Sequence, residues 1–467
     1  MSATSFKLLF LALMGSGIPV AIAMAGSALI YVMVTGIAPD FVVIHRMFSG
    51  LDSFPLLAVP FFILAGNLMN SAGITNRIYN FALGLVGWMR GGLGHVNVVG
   101  SVIFAGMSGT AVADAAGLGT IEIRAMKEHG YKTEFAVGIT AASATLGPII
   151  PPSLPFVIYG MMSSVSIGQL FLAGILPGVV MAALMMMTVS FFAWRNKWGG
   201  DIPFEWRRIL GVLTELAVLV LLPTLVFLVI DWGAPPRPTV IVGLALLLVM
   251  DKLFRFAAVL PLLTPILLIG GMTSGLFTAT EGAIAACVWA LFLGLVWYRT
   301  LNWRMFVKAS QDTVETTATV LFIVSAASVF GWVLAASRTT EAIAQWVLAF
   351  TSDPMVFLLL VNLLMLFVGC FLEPTAAITI LTPILLPIVL KLGIDPVHFG
   401  LVMVLNLMIG LLHPPMGLVL FVLARVANLS LERTTMAILP WLAPLLISLG
   451  LITYIPAISL WLPNILK

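Results

Sequence analysis

Charge is what this sequence is short of: 9% of its 467 residues are Asp, Glu, Lys or Arg, where soluble globular domains average about 25%. With 61% hydrophobic residues and a mean hydropathy of +1.15, the chain is too apolar for an ordinary soluble globule. Cysteine is scarce too, and Cys287 and Cys370 both fall in apolar segments, which argues against a disulfide framework and a thiolate metal site. The five histidines form no metal-ligand spacing, and the sequence has no phosphate-binding loop, dinucleotide fingerprint or nucleophile elbow. Nothing in it points to an enzyme or a cofactor, and any work it does must draw on an ion gradient. The longest polar stretch, residues 195–208, is only a loop, so no soluble domain of useful size remains. A net charge of +3 scattered over loops gives no basis for a nucleic-acid partner; its placement bears on topology instead. Residues 6–34 are too long for the apolar core of a signal peptide and lack a convincing cleavage site.

What the sequence has is apolar runs long enough to cross a bilayer, from end to end. The expected class is an all-α polytopic membrane protein. A long first helix over residues 6–34, bent at Pro19, leads through an arm at 40–53 to a span over 55–72. Ile74, Ile78, Phe81 and Leu85 recur at helical spacing while Asn76, Arg77 and Asn80 face elsewhere, which predicts an interfacial helix. Two apolar arms of about 14 to 18 residues then flank Ser108-Gly-Thr110; at about 1.5 Å per residue each is short for a crossing, and a re-entrant hairpin fits better. A helix interrupted at 147–152 and a full span over 167–194 complete this half.

The second half repeats the first. Its arm carries Arg304 and Lys308, a span covers 316–336, and an amphipathic helix presents Ile343, Val347 and Phe350 on one face. Ile78 and Ile343 are 265 positions apart, as are Thr110 and Thr375 in a second hairpin tip, Leu372-Glu-Pro-Thr375. Gly147 pairs with Gly410, and Pro151-Pro152 with Pro414-Pro415, at an offset of 263. Four features in one order at near-constant offset mean a duplicated unit. The units are residues 1–90 (scaffold helices and arm helix), 91–165 (first hairpin and broken helix) and 166–208 (scaffold span and loop). An inserted helix pair at 209–255 separates these from 256–352 (second scaffold helices and arm helix), 353–428 (second hairpin and broken helix) and 429–467 (final span). Basic residues Arg90, Arg124, Lys127 and Lys132 put the base of the first hairpin inside, and the more acidic base of the second falls outside. The repeats are then inverted, with about eleven spans plus two hairpins, the amino terminus cytoplasmic and the carboxy terminus periplasmic.

Backbone that leaves helical geometry at membrane depth survives only when buried in protein or lining a watery cavity, and paired breaks mark transporter sites. Half-helix amino termini attract anions, while freed carbonyls and hydroxyls coordinate Na⁺. An intramembrane acid is a functional candidate. Asp114, a turn past the first tip, reads better as holding or capping the hairpin, whereas Glu373 in the second tip reads better as serving the ion. Glu281 suits a helix start, and His413 is more simply a satisfied buried histidine than a titrating group.

Gly106-Met-Ser-Gly-Thr-Ala-Val-Ala-Asp114, Leu146-Gly-Pro-Ile-Ile-Pro-Pro-Ser153, Ser274-Gly-Leu-Phe-Thr-Ala-Thr-Glu281 and Leu381-Thr-Pro-Ile-Leu-Leu-Pro387 resemble the large membrane subunit of tripartite ATP-independent periplasmic (TRAP) transporters, over nearly the whole chain. The resemblance implies a Na⁺-coupled importer of the ion-transporter superfamily in a bacterial inner membrane, working as an elevator. It also implies a small four-helix membrane subunit and a periplasmic binding protein that delivers a carboxylate such as a dicarboxylate or sialic acid. By that pattern Na⁺ falls around Ser108, Gly109 and Thr110 with Gly147 and Pro148, and around Glu373, Pro374 and Thr375 with Gly410. Ser108, Thr110, Ser153, Thr375, Pro414 and Pro415 are expected to face the substrate. A stand-alone cation/carboxylate symporter is the nearest alternative. The sequence departs from the family at His413, where threonine is commoner, and in the inserted pair, which reads either as added scaffold surface or as a docking face for the small subunit or a second copy.

Overall fold

The computed structural model describes residues 3–231, 236–254, 256, 259–273, 276–414 and 417–466. Among these the regular structure is helical, with a lone β-bridge between Arg90 and Gly200. In chain order the first half runs α1 (Ala3–Gly15), α2 (Val20–Thr35), α3 (Phe41–Leu51), a 3₁₀ turn (Phe54–Leu57) into α4 (Ala58–Ser71), and α5 (Ile74–Val86). It continues with α6 (Gly92–Ser108), α7 (Ala111–Ala116), α8 (Leu118–Glu128), α9 (Thr133–Ala144), α10 (Leu154–Ser163) and α11 (Ile167–Arg195). The inserted pair is α12 (Trp206–Asp231) and α13 (Pro236–Phe254). Next come α14 (Val259–Thr273), α15 (Ala279–Leu291) with a π-helical turn (Phe292–Trp297), α16 (Trp303–Ala336) and α17 (Thr339–Phe350). The last helices are α18 (Pro354–Gly369), α19 (Pro374–Lys391), α20 (Pro396–Gly410), α21 (Leu418–Ala427), α22 (Leu431–Tyr454) and α23 (Ala457–Ile465). Seven helices among the described residues are long and apolar enough to cross a membrane, and nine more apolar helices are shorter.

Two bodies of packing stand out. In one, α4 lies along α15 and α16, and α16 also carries α2 and α3. Side chains of α15 reach the carbonyls of the preceding half: Thr280 Oγ1 donates to Phe54 O (3.2 Å) and Cys287 Sγ to Phe61 O (2.9 Å). In the other, α9 packs on α22, α18 on α20, and α6 on α8, α9 and α11. Trp441 of α22 is fully buried against Phe135 and Phe192, with ring centroids 5.6 and 5.7 Å away. Outside the membrane body, Asp201 Oδ2 accepts from the Leu93 N–H (2.7 Å) and the Tyr131 hydroxyl (2.6 Å). That carboxylate sits at the amino end of α6, where the helix dipole favours it. Burial, followed by the bond to Asp201, pushes the Tyr131 hydroxyl well above its ordinary range.

Several sequence expectations change. The first long helix is two helices, because residues 16–19 turn the chain back on itself and α1 packs on α2. Phe6 stacks on Tyr31 (centroids 5.2 Å), and Phe6 and Phe10 both meet Phe330 of α16 at 5.1 and 4.7 Å. Four aromatic rings meeting off one axis outweigh continuity of the helix. Conversely the arm at 304–308 and the span at 316–336 are one uninterrupted 34-residue helix, α16, started by Asn302 capping Met305 N. On α17 the inward stripe is Ile343, Ala344, Val347 and Leu348, and Phe350 points out with 70% of its surface exposed. The final segment holds α23 in addition to its span, packed on α11 and α20. α5 has the two faces its spacing predicted, with Ile74, Ile78 and Phe81 buried against exposed Asn76 and Asn80.

The α1–α2 turn is open to a direct check. In a cysteine-free background, Phe6→Cys with Tyr31→Cys is expected to cross-link with a short bis-maleimide, since a continuous helix would hold the two roughly 37 Å apart. No cross-link in the folded protein would restore the single helix.

Candidate functional site

Both expected hairpin tips exist as breaks in helical backbone, and each lies against one of the two broken helices. At the first tip α6 ends on Gly109 with φ of 64°, and Thr110 caps α7 by accepting from Ala113 N (3.3 Å). The arms return alongside each other, because Asn97 of α6 bonds Glu122 of α8, symmetric about the tip. The returning arm is itself interrupted at Gly117. The first broken helix leaves helical geometry over 145–153, wider than expected, and restarts at α10 with Ser153 as cap. Ser153 Oγ accepts from Phe156 N (3.3 Å) and donates to Pro148 O. The peptide between Pro151 and Pro152 is cis.

Tip and break touch through backbone. Leu154 N donates to Gly109 O (3.4 Å), and a Cβ on Gly109 would stand 2.6 Å from Pro152 O. The left-handed φ and this contact together demand glycine there. Gly147 faces Thr110 O at 3.0 Å from where its Cβ would be. Ser108, Gly109, Thr110, Gly147, Pro148 and Ser153 are thus one constellation. Ser108 Oγ is buried there without a hydrogen-bond partner among the described residues, an orphan oxygen of the type a cation ligand requires.

At the second tip α18 ends at Gly369 and α19 begins at Pro374, capped by Glu373. Glu373 Oε2 accepts from Ala376 N (3.2 Å) and Oε1 from Thr375 Oγ1 (2.9 Å). Its carboxylate therefore has a capping duty, where the sequence reading favoured the ion. The second broken helix departs after Gly410 and resumes at α21. Gly410 and Gly369 meet backbone to backbone: a Cβ on Gly410 would lie 2.6 Å from the Gly369 Cα. His413 is half-buried, its Nδ1 3.0 Å from Ile409 O, which fits a locally satisfied histidine. Pro414 is exposed, and Pro415 lies outside the described residues, as do Ser274 and Gly275 of the stretch before α15. Glu281 completes a capping box with Thr278 at the start of α15, as its position predicted.

The four junction helices cross over. After its break α10 packs on α19 of the second hairpin, and α21 packs on α7 of the first. Tyr159 of α10 donates to Pro396 O (2.7 Å) at the start of α20. Helix amino termini capped by Thr110, Ser153 and Glu373, and the start of α21 at Leu418, all arise at the two tip–break junctions. A cleft of about 510 Å³ between the α10–α11 turn and the start of α15, lined by Ser164, Ser166, Thr278 and Thr280, holds no tip residue.

Sequence reasoning missed the polar ties behind the tips. Asn97 donates to Glu122 and to Thr140 Oγ1 (2.8 Å), and accepts from Ser143 Oγ (2.7 Å). In the other hairpin Asn406 Nδ2 donates to Asn362 Oδ1 (2.8 Å), and Asn362 donates to Thr453 Oγ1 (3.1 Å). Asn97 and Asn362 are 265 positions apart and Ser143 and Asn406 are 263 apart, the offsets already found for tips and breaks. The same pair of positions thus ties hairpin to broken helix twice, and those offsets were the signal that could have found it. Asp114 does not cap α7, since Thr110 does; both its oxygens are buried and unpartnered among the described residues, facing the Ser101 hydroxyl outside bonding geometry.

Two outcomes follow from this packing. Gly410→Ala forces backbone apart at the Gly369 contact, and overpacking of this kind costs about 1–3 kcal/mol; a thermal-unfolding midpoint several degrees lower in detergent checks it. A double-mutant cycle of Asn362→Ala with Asn406→Ala is expected to give a coupling of about 0.6–1.7 kcal/mol, and strictly additive losses would remove the tie.

Known proteins bear on the whole chain. The family described as tripartite ATP-independent periplasmic transporter, DctM component, matches residues 8–458. The sialic acid TRAP transporter large permease protein SiaM of Vibrio cholerae is 41% identical over 458 residues, covering 98% of this chain and 97% of that one. The sialic acid TRAP transporter permease protein SiaT of Haemophilus influenzae is 36% identical, with 98% of this chain spanning 68% of its length. The C4-dicarboxylate TRAP transporter large permease protein DctM of Rhodobacter capsulatus is 33% identical over the full length of both. Among solved structures, the YdaH transporter of Alcanivorax borkumensis superposes with a TM-score of 0.60 over 91% of this chain and 89% of that one, at 15% identity, a likeness of fold alone. The family model and these relatives agree, and the apolar helices are consistent with them: the chain belongs to the DctM family of TRAP transporter large permeases.

Proposed function

We propose that this permease imports a small organic acid of the sialic-acid or C4-dicarboxylate class, coupled to Na⁺ entry, with both ligands held at the two tip–break junctions. The observation that carries the reading is the pairing of Gly109 with Pro152 and of Gly369 with Gly410, which brings non-helical backbone, hydroxyls and helix starts together twice. Na⁺ takes oxygen ligands, and Ser108 Oγ, Thr110 and the 147–148 backbone supply them at one junction. Thr375, Glu373 and the backbone after Gly410 supply them at the other. Helix starts capped by Thr110, Ser153 and Glu373 present N–H groups to a carboxylate. Neither ligand alone satisfies both charges in a low-dielectric site, so each raises the affinity for the other.

The matching offsets of the Asn97 and Asn362 ties support a duplicated unit, and the basic base of the first hairpin against the more acidic base of the second supports its inversion, with one hairpin entering from each face. Movement of α6–α10 with α18–α21 as one body against α4, α15 and α16 would carry the junctions across the bilayer as an elevator. The amino terminus lies inside and the carboxy terminus outside in a bacterial inner membrane, by the placement of Arg90, Arg124, Lys127 and Lys132. A four-helix membrane subunit and a periplasmic binding protein would complete the system, a reading that the tripartite family description supports.

Proteoliposomes test this. Uptake of labelled sialic acid or a C4-dicarboxylate is expected only with an inward Na⁺ gradient, the small subunit and the loaded binding protein. Uptake by this chain alone would favour a stand-alone symporter, and uptake indifferent to Na⁺ would end the coupling. In the working system Ser108→Ala and Thr375→Ala each lose a ligand oxygen and are expected to raise the Na⁺ concentration for half-maximal uptake about tenfold, equivalent to about 1.4 kcal/mol, with membrane abundance unchanged.

A further inference from the structure

The inserted pair adds a wall to a cleft that the transport site does not use. This cleft, about 720 Å³, opens between α5, the end of α13 and the end of the π-helical turn after α15. Arg77, Asp251, Lys252, Trp297, Tyr298 and Arg299 line it. From these residues we propose that it binds the head group of an anionic glycerophospholipid of the phosphatidylglycerol type.

Charge points first to an anion. Three cations share the cleft with one carboxylate, and none of the three is in an ion pair among the described residues, where the pairs are Arg124–Glu128 and Arg208–Glu205. Arg77 is held over the Tyr298 ring at 3.8 Å from its centroid, a stacked guanidinium whose edge donors face away from the ring. Lys252 and Arg299 are exposed and free to close on a phosphate.

The polar atoms left over specify the rest of the head group. Asp251 Oδ2 accepts from Trp297 Nε1 (2.8 Å), which fixes the indole, while Asp251 Oδ1 is buried without a donor among the described residues. The Tyr298 hydroxyl is also buried without a partner among the described residues. A phosphate satisfies Arg77, Lys252, Arg299 and the Tyr298 O–H. A glycerol hydroxyl supplies the donor that Asp251 Oδ1 lacks. Three cations exceed the two carboxylates at the cleft, Asp251 in its lining and Glu215 acting on Tyr298, and favour this net-anionic group over a zwitterion.

Position supplies the lipid. The apolar runs of α13 and of α15 with its π turn both end here, in Lys252 and in Arg299, and Trp297 and Tyr298 mark the level where aromatic side chains meet the head-group layer. Val242, Leu246, Val249 and Leu253 of α13 are exposed, a face along which acyl chains can lie. Basic pockets between helices at a membrane surface bind anionic head groups for these reasons.

Lipid retention tests the proposal on the full chain, purified in detergent from nanodiscs of about four parts phosphatidylcholine to one part phosphatidylglycerol, with retained lipid measured by mass spectrometry. The wild type is expected to hold phosphatidylglycerol, and Lys252→Ser with Arg299→Ser to weaken it about 30-fold, two charges near the surface being removed. The charge-keeping Lys252→Arg with Arg299→Lys is expected to retain the lipid, separating lost charge from lost fold. Equal retention by wild type and the serine variant would overturn the site. Phosphatidylcholine held as tightly as phosphatidylglycerol would overturn the anionic assignment, and displacement by millimolar inorganic phosphate would make free phosphate the ligand instead of a lipid.

Discussion

Everything in this permease depends on sealing backbone that is not helical. Inside a membrane an unpaired N–H or carbonyl has no water to turn to, so each interruption must find protein. The chain solves this by setting one interruption against another. Gly109 fits against Pro152 and the start of α10, and Gly369 fits against Gly410. Caps from Thr110, Ser153 and Glu373 satisfy the helix starts that the interruptions create. The result is a pair of polar junctions inside an apolar body, where ions and carboxylates gain most from fixed dipoles.

Behind each junction a buried asparagine holds the hairpin to its broken helix. Asn97 does so through Thr140 and Ser143, and Asn362 through Asn406. A half-satisfied amide at this depth is costly, so the tie fixes register as well as distance. Crossed packing of α10 on α19 and of α21 on α7 then locks the two junctions to one another. Around this body the remaining helices differ in kind. α16 runs unbroken through 34 residues and carries α2, α3 and α4 on its flank, a shape suited to a fixed frame. The inserted α12 and α13 stand at the rim, with Val220, Leu221, Leu225, Val242 and Val249 exposed.

Much of this could be read from residues alone. Tips, breaks, the amphipathic α5 and the capping box at Glu281 all rest on short-range rules: glycine and proline interrupt helices, apolar spacing sets a face, and hydroxyls cap. Where the reading failed, the deciding partner lay far away in the chain. Residues 6–34 have the composition of one helix and become two because Phe330, some three hundred positions on, offers a site for Phe6 and Phe10. Glu373 carries a capping duty that its position alone did not announce, since Thr375 and Ala376 N reach its carboxylate. Phe350 keeps helical spacing with Ile343 and Val347 yet faces outward, because α17 meets α19 and α16 along a narrower stripe.

The sequence by itself determined that the chain is a membrane protein, that its apolar segments are interrupted at four places, and that the interruptions recur at offsets of 265 and 263. Those are properties of local chemistry and of counting, and need no partner. Only the tertiary structure decided which backbone contacts seal each interruption, that Asn97 and Asn362 are the ties, and that Arg77, Lys252 and Arg299 converge on one cleft. The reason is physical. A break in a helix states a need for hydrogen-bond partners, and packing across hundreds of residues selects the partner that meets it.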